Sequence, residues 1–289
     1  MRIPLIKKTC LLILLFLLGF SNLSLAQKRE IAITIDDLPF VGESKNFHLN
    51  MIIDALKSNE VPATGFVIAR EVTQDNWTML RKFHDAGLGL GNHTYSHANL
   101  NKMNAGAYIQ EIDAADKILL PIMTEPKYFR YPYLAMSHGA KKDKVLQFLG
   151  AKNYQIAPIT IDSKDFLFNQ LLYAVPENER RSFLEVLKPC YIDFIWKQTL
   201  KAEEHSKLAH KPEQPQILLI HANLLNAYVL PDILNLYKQN GFNFISLEEA
   251  LKNSDDNTKI LVKKQKAKTE GKPTVAWRDP GVENYMEWD

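Results

Sequence analysis

The chain has 289 residues, of which 46% are hydrophobic and 24% are charged, and its formal net charge is +2. This composition is typical of a globular protein with one large domain or two small ones, and it excludes a disordered, collagen-like or disulfide-rich chain. The two cysteines are Cys10 and Cys190. We expect Cys10 to be removed with a leader segment, and we predict that the remaining thiol is inert and partly buried.

Residues 1–26 have the pattern of a secretory signal peptide. Arg2, Lys7 and Lys8 precede an apolar run over residues 10–20, and small side chains in residues 24–26 have the spacing of a cleavage site. A membrane anchor is the alternative, but this run is shorter than the ~18–20 residues that a span needs. We predict cleavage after Ala26, export to the periplasm or the medium, and no stable membrane anchor afterwards.

Loss of this segment changes the charge of the protein. It removes three basic residues and no acidic ones, so the formal net charge of residues 27–289 is −1. Nucleic-acid-binding proteins usually carry a basic surface that attracts phosphates. We therefore predict no nucleic-acid partner.

Short apolar runs then alternate with helical patterns as far as residue 251. The predicted strands cover residues 31–35, 63–68, 88–92, 216–220 and 242–245. In the first segment between them, Leu49, Ile52, Ile53 and Leu56 lie at i, i+3, i+4 and i+7, as in an amphipathic helix. Apolar residues also predict helices in the later segments. Residues 128–131 and 154–161 are predicted to be extended. Repeated βα units favour a parallel sheet or barrel, in which functional side chains gather at the carboxyl ends of the strands.

Two segments interrupt this alternation. Residues 167–215 are helical and polar, and we predict a helical insertion that caps one side of the barrel. The tail, residues 252–289, contains seven lysines between positions 252 and 272. A solvated tail and a contact with an anionic cell-envelope polymer are the two interpretations of these lysines. The predicted organisation is thus a signal peptide, a main domain over residues 27–251, and this tail.

His93 and His97 lie four residues apart, directly after a predicted strand. On a helical turn they would share one face, so that both imidazoles reach one cation. A pair of surface histidines without a ligand is the alternative, because exposed polar residues are common. The strand that leads into the pair favours a metal site.

Asp36 and Asp37 are adjacent carboxylates that follow the first predicted strand. One can bind a cation while the other acts as a base, although a turn in the sequence Asp-Asp-Leu-Pro is the alternative. Two histidines and one carboxylate form a common catalytic metal set that leaves positions open for water. A cation in such a set lowers the pKa of bound water towards ~7 and polarises a carbonyl.

Five short motifs follow one another along the chain. They are Thr-Ile-Asp-Asp (34–37), His-Thr-Tyr-Ser-His (93–97), Arg-Tyr-Pro-Tyr (130–133), Asp-Ser-Lys-Asp-Phe (162–166) and Leu-Ile-His (219–221). In this set and order the chain resembles the NodB-homology polysaccharide deacetylases, carbohydrate esterase family 4. The resemblance spans residue 31 to about residue 250. It implies an α/β fold, a distorted (β/α)7-type barrel, which would carry the helical insertion.

The resemblance also implies one divalent cation, usually zinc, and assigns its ligands. Asp37, His93 and His97 would hold the metal. Asp36 would be the general base that takes a proton from the attacking water. Arg130 would pair with Asp36 and orient it.

Further roles follow from the later motifs. The Tyr133 backbone N–H would stabilise the oxyanion, and Leu219 would line the pocket for the acetyl methyl group. His221 would be the general acid, paired with Asp165, which keeps it cationic. The motifs depart from the family at Leu38 and Leu134, where glycine is usual, and at the fourth motif, where phenylalanine replaces tryptophan. Phe166 still provides an apolar wall but lacks the indole N–H.

Asn223 and Asn226 lie just past the last motif. They would either cap the following helix or hydrogen-bond a sugar, and the sequence leaves both interpretations open.

The implied activity is that of an exported hydrolase that removes N-acetyl groups from a GlcNAc-type polysaccharide or oligosaccharide and releases acetate. An O-acetyl esterase or an amidase on a small non-polymeric substrate is the alternative, because the same metal, base and acid serve all three reactions. A carbohydrate-binding protein without turnover is a third hypothesis. Every expected catalytic group is present in the sequence, which favours an enzyme with an acetylated carbohydrate substrate.

Overall fold

The computed structural model describes residues 28–253. The predicted signal peptide, residues 1–26, lies outside this range, as does the tail beyond residue 253. Cleavage after Ala26 and the role of the lysine-rich tail therefore stay predictions. No helix within residues 28–253 is both long and apolar enough to cross a membrane.

Eight parallel strands form a single sheet in the described part of the chain. The strands are β1 (Arg29–Val41), β2 (Ala63–Val67), β3 (Gly89–Asn92), β4 (Tyr128–Phe129), β5 (Gln155–Ile156), β6 (Ile161–Asp162), β7 (Gln216–Asn223) and β8 (Phe242–Phe244). Their order is β5-β4-β3-β2-β1-β7-β6, and β8 pairs with β1. Because β5 and β6 are the two ends, the described sheet is an incompletely closed barrel. The predicted α/β fold with a distorted parallel barrel is confirmed.

Helices connect most of these strands, because neighbouring parallel strands need a crossover connection. They are α1 (Lys45–Ser58), α2 (Gln74–Asp85), α3 (Ala105–Leu119), α4 (Gly139–Ala151), α5 (Asp165–Ala174), α6 (Glu177–Leu208), α7 (Leu224–Gln239) and α8 (Leu247–Asn253). The apolar stripe that predicted α1 is its buried face, at Leu49, Ile52, Ile53 and Leu56. In β1, residues 31–35 are all buried, so both faces of this central strand are covered. Such coverage is usual for parallel sheets.

Two predicted elements differ in their bounds because of long-range contacts. The first predicted strand ends at residue 35, but β1 continues to Val41 because its carboxyl end still pairs with β7, where Val41 is the partner of Asn223. The single extended segment predicted over residues 154–161 consists of β5 and β6. These strands pair with β4 and β7, respectively, on opposite ends of the sheet.

The segment predicted as a helical insertion forms the connection between β6 and β7. It consists of α5 and the long helix α6, whose buried residues repeat every three or four positions, including Leu187, Tyr191, Ile195 and Thr199. This face packs against α7 and the β6–β7 edge of the sheet. The prediction that Cys190 is partly buried is wrong. Its neighbour Tyr191 faces the core, which turns Cys190 to the exposed side of α6.

Candidate active site

Asp36 and Asp37 converge on one place although they are consecutive in a strand. In a regular strand, adjacent side chains point to opposite faces. Here the pairing register shifts after Ile35, and Asp37 has a φ of 64°. This left-handed conformation is tolerated by aspartate better than by most residues. As a result, His93 Nε2 lies 3.7 Å from Asp36 Oδ2 and 3.5 Å from Asp37 Oδ1.

His93 and His97 meet, but not on a helix, so the predicted helical turn is wrong. Residues 93–97 form a loop in which Thr94 and His97 have φ values of 66° and 58°. A residue of helix α3 stabilises this loop. The Glu111 carboxylate accepts hydrogen bonds from the Ser96 backbone N–H at 2.7 Å and from the Ser96 hydroxyl at 2.9 Å. The two imidazole centroids are 5.0 Å apart. Sequence spacing gave no sign of Glu111 in this role.

Asp37, His93 and His97 form a group whose ligand atoms all lie within 4.8 Å of one another. His93 Nδ1 is 2.8 Å from the Arg130 carbonyl, to which it donates, so Nε2 is left to face Asp37. Asp37 Oδ1 is buried and accepts no hydrogen bond within the described chain. A buried carboxylate oxygen that accepts no hydrogen bond is costly. Two imidazole nitrogens and this oxygen therefore fit a divalent cation.

The protonation states of this group also suit a cation. Burial raises the pKa of the Asp37 carboxyl, but the imidazoles of His93, His221 and His97 outweigh it and bring the pKa below its usual 3.8. Burial lowers the pKa of His97 from 6.5 to about 4, against the attraction of Asp37. Metal ligands must be deprotonated, so at neutral pH both groups are in their ligand form.

Asp36 lies beside these candidate ligands and is 3% exposed. The Arg130 guanidinium approaches both of its oxygens, with Nη1 at 3.4 and 3.5 Å. Arg130 is itself fixed by shorter bonds that it donates to the Ala157 carbonyl at 2.7 Å and the Thr34 hydroxyl at 3.1 Å. The pairing that the resemblance implied is therefore present, with the arginine anchored mainly by its other acceptors.

His221 and Asp165 form the closest charged pair of the site. The His221 Nδ1 to Asp165 Oδ1 distance is 2.6 Å, and the His221 backbone N–H donates to Asp165 Oδ2 at 2.7 Å. Burial lowers the pKa of His221, but the Asp165 charge and hydrogen bond dominate and raise it from 6.5 to about 10. At neutral pH the imidazole is therefore cationic. Because Nδ1 faces Asp165, Nε2 is the nitrogen that can give a proton to a substrate.

Asn223 and Asn226 are buried side chains, at 2% and 0% exposure, and so do not contact a sugar. Asn223 is the N-cap of α7, since its Oδ1 accepts the Asn226 N–H at 3.0 Å. Both amides also donate to Asp165 Oδ2. Of the two interpretations that the sequence left open, the cap is right for Asn223. The sequence pattern does not predict the contact of both side chains with Asp165.

The remaining predicted site residues lie around these groups. Tyr133 has a φ of 56°, and its ring is 64% exposed and 4.5 Å from that of His97. Phe166 is 41% exposed and meets the His221 ring edge-on at 6.2 Å. Leu219 is buried in β7, two residues before His221. Two exposed aromatic rings thus flank the site, one beside a candidate ligand and the other beside the candidate acid.

Comparison with known proteins shows which family part of the chain resembles. The family model described as polysaccharide deacetylase matches residues 25–154. A probable peptidoglycan-N-acetylglucosamine deacetylase of Arthroderma benhamiae is 33% identical over 144 residues, which are 48% of this chain and 30% of that protein. A chitin deacetylase of Colletotrichum lindemuthianum is 30% identical over 162 residues, 53% of this chain and 59% of that protein. The chain thus spans between about a third and three fifths of the length of these relatives.

Solved structures agree with the fold. A peptidoglycan deacetylase from Bacillus subtilis superposes with a TM-score of 0.55 at 19% identity, covering 84% of this chain and 96% of that chain. At this identity the likeness concerns the fold alone. The first three motifs, with Asp37, His93, His97 and Arg130, lie inside the region that the family model matches. Residues 25–154, which carry these motifs, therefore match the polysaccharide deacetylase family.

Proposed function

We propose that this protein is an exported, metal-dependent deacetylase that hydrolyses N-acetyl groups of a GlcNAc-type polysaccharide or oligosaccharide and releases acetate. The observation that carries the proposal is the assembly of Asp37, His93 and His97 into a cation-fitting set beside Asp36 and the Asp165–His221 pair. The names of the relatives, a chitin deacetylase and a peptidoglycan-N-acetylglucosamine deacetylase, support this substrate class.

Zinc is the proposed cation because two imidazoles and one carboxylate suit its preference for nitrogen and oxygen ligands. Asp37, His93 and His97 would hold it. When bound, the cation polarises the acetyl carbonyl and makes water more acidic.

Other side chains of the site would carry out two proton transfers, one from the attacking water and one to the leaving nitrogen. The Asp36 carboxylate accepts a proton from the attacking water, and Arg130 keeps the carboxylate in place. The Tyr133 N–H donates to the oxygen that becomes negative. His221 Nε2 then gives its proton to the leaving nitrogen, so that a neutral amine departs. Asp165 stabilises the imidazolium that holds this proton beforehand.

The exposure of the flanking rings bears on the size of the substrate. Tyr133 and Phe166 lie beside His97 and His221 and remain 64% and 41% exposed. An open site with exposed rings favours a polymer or an oligosaccharide, whereas an enclosed pocket would favour a small substrate. The alternative activities, an O-acetyl esterase or a small-molecule amidase, are therefore outcomes of the test.

The test is acetate release from chitooligosaccharides, peptidoglycan fragments and acetylated xylan, each with and without added zinc. We expect release from the N-acetyl substrates, and more of it with zinc. Release only from acetylated xylan would identify an O-acetyl esterase instead. No release from any substrate by the zinc-loaded protein would contradict the proposal and favour a binding protein.

The proposed metal site can be tested by zinc binding, without a measurement of turnover. The metal-free protein should bind one zinc ion in calorimetry and melt at a higher temperature when zinc is present, because a ligand that binds only the folded state stabilises it. His93→Ala should abolish both effects. His205→Ala, at an exposed position on α6, is the matched control and should change neither. Equal stoichiometric binding by the two variants would mean that His93 is not a ligand.

Export remains part of the proposal on the strength of the residue 1–26 pattern. If the chain is exported, the protein recovered from the periplasm or the medium should begin at Gln27. Mass spectrometry of its N-terminus measures this directly, and an intact leader in exported protein would contradict cleavage after Ala26.

A further inference from the structure

Asp165 is fully buried, and its carboxylate is saturated with hydrogen bonds. Oδ1 accepts from His221 Nδ1 at 2.6 Å. Oδ2 accepts from the His221 N–H at 2.7 Å, from Asn223 Nδ2 at 2.9 Å and from Asn226 Nδ2. An ionised carboxylate offers about four acceptor positions. The orientation of this carboxylate, and through it that of the His221 ring, is therefore set by the groups that donate to it.

Asn226 is the donor whose own orientation needs an explanation. Its Nδ2 donates both to Asp165 Oδ2 and to the His221 carbonyl, the latter at 2.9 Å. A side-chain amide has a donor end and an acceptor end of nearly the same shape. Rotated by half a turn, Asn226 would direct its own oxygen at the carboxylate and at the carbonyl, and both contacts would become repulsive.

Tyr191 holds the acceptor end of that amide. Its hydroxyl donates to Asn226 Oδ1 at 2.9 Å, and the ring is 0% exposed. Tyr191 lies in the middle of helix α6. Through Tyr191, this helix therefore contacts Asn226, which donates to the Asp165 carboxylate.

We propose that Tyr191 and Asn226 are positioning residues for the His221 acid, and that the long helix α6 orients this acid through the chain Tyr191–Asn226–Asp165–His221. The role in turnover rests on the proposed function, but the alignment of the pair does not. Tyr191 fixes the amide of Asn226, the amide fixes the Asp165 carboxylate, and the carboxylate fixes the imidazole with Nε2 free. Helix α6 thereby orients the His221 ring without touching the substrate.

Helices α6 and α7, which carry Tyr191 and Asn226, also offer a matched control. Tyr237 on α7 is also fully buried, and its hydroxyl lies 2.8 Å from the Thr199 hydroxyl on α6. Tyr191→Phe and Tyr237→Phe each remove one buried hydroxyl from the α6–α7 contact. Only the first of them faces the Asp165–His221 pair. A purely structural contribution of α6 would affect the two variants alike.

The experiment compares the two variants with the wild type by NMR and by kinetics. In the metal-free protein, the His221 Nδ1 proton in its short bond to Asp165 should give a resonance far downfield of ordinary imidazole N–H signals. We expect Tyr191→Phe to shift or broaden this resonance and Tyr237→Phe to leave it in place. For an N-acetyl oligosaccharide, Tyr191→Phe should lower kcat by about 10- to 100-fold, as the loss of a supporting contact typically does, with little change in KM.

Each outcome bears on the proposal. If the two variants have the same resonance and the same kcat, the positioning role of Tyr191 is wrong. If Asn226→Ala reproduces the resonance shift of Tyr191→Phe and the double variant adds little, the chain is confirmed as one unit. An inactive wild type would overturn the proposed function alone, because the resonance reports the alignment of His221 without turnover.

Discussion

Asp36→Asn should lower kcat/KM for an N-acetyl oligosaccharide by about 10²–10⁴-fold while the protein still binds zinc. The amide keeps the shape of the side chain but cannot accept the proton of the attacking water, and a lost general base typically costs this much. We expect the zinc ligands to stay the same, because the proposed carboxylate ligand is Asp37, whose buried Oδ1 accepts no hydrogen bond. Steady-state kinetics with parallel metal analysis and a thermal melt measure the effect.

Asp162→Asn is the matched control for this variant. Asp162 is a carboxylate on the neighbouring strand β6 that pairs with Lys164 at 2.8 Å. Asp162→Asn makes the same change from carboxylate to amide and leaves the proposed metal ligands in place. We expect kcat/KM to stay within about twofold of the wild type. Near wild-type activity of zinc-loaded Asp36→Asn would contradict the base role. Loss of zinc by that variant would place Asp36 among the ligands instead.

His221→Ala should separate two kinds of substrate. In hydrolysis of an N-acetyl sugar, the sugar nitrogen leaves as an amide anion unless it is protonated. In hydrolysis of an O-acetyl sugar, the sugar oxygen leaves as an alkoxide, which is a much weaker base. We therefore expect kcat/KM to fall by about 10²–10⁴-fold for an N-acetyl sugar and by clearly less for an O-acetyl sugar. The ratio of the two values is the measurement, because a general loss of folded protein or of metal lowers both equally.

Two further variants sharpen this prediction. His221→Gln retains a side-chain N–H for Asp165, which is otherwise left as an unpaired buried charge, and it should show the same change in the ratio as His221→Ala. His48→Ala removes a buried histidine that contacts the Glu43 carbonyl and stacks on Phe40. It should leave the ratio unchanged. An unchanged ratio in both His221 variants would show that another group protonates the leaving nitrogen.

Much of the fold follows from local patterns in the sequence. Apolar residues at i, i+3, i+4 and i+7 predict α1 because only one face of that helix is buried. The apolar run at residues 31–35 predicts a strand that is covered on both faces, as β1 is. The motifs also name the groups that meet at the site. The structure brings together Asp37, His93 and His97 and, beside them, the pair Asp165 and His221.

The conformations that bring these groups together do not follow from spacing. His93 and His97 meet through a loop that Glu111 holds from α3, so the helical turn expected from their spacing is absent. Asp36 and Asp37 face the same site because Asp37 takes a left-handed conformation where β1 loses its register with β2. In both places, tertiary contacts override the geometry that the local pattern predicts.

The sequence by itself determined most of the strands and helices and the set of side chains that meet at the candidate site. Both depend on neighbours within a few residues or on the motifs, and both can be found along the chain. Only the tertiary structure decided which side chains hydrogen-bond the Asp165 carboxylate that pairs with His221. Asn226 and Tyr191 lie 61 and 26 residues from Asp165 along the chain, and their hydrogen bonds exist only because α6 and α7 pack together. A buried polar side chain needs a partner, but which partner it finds depends on the packing of distant segments.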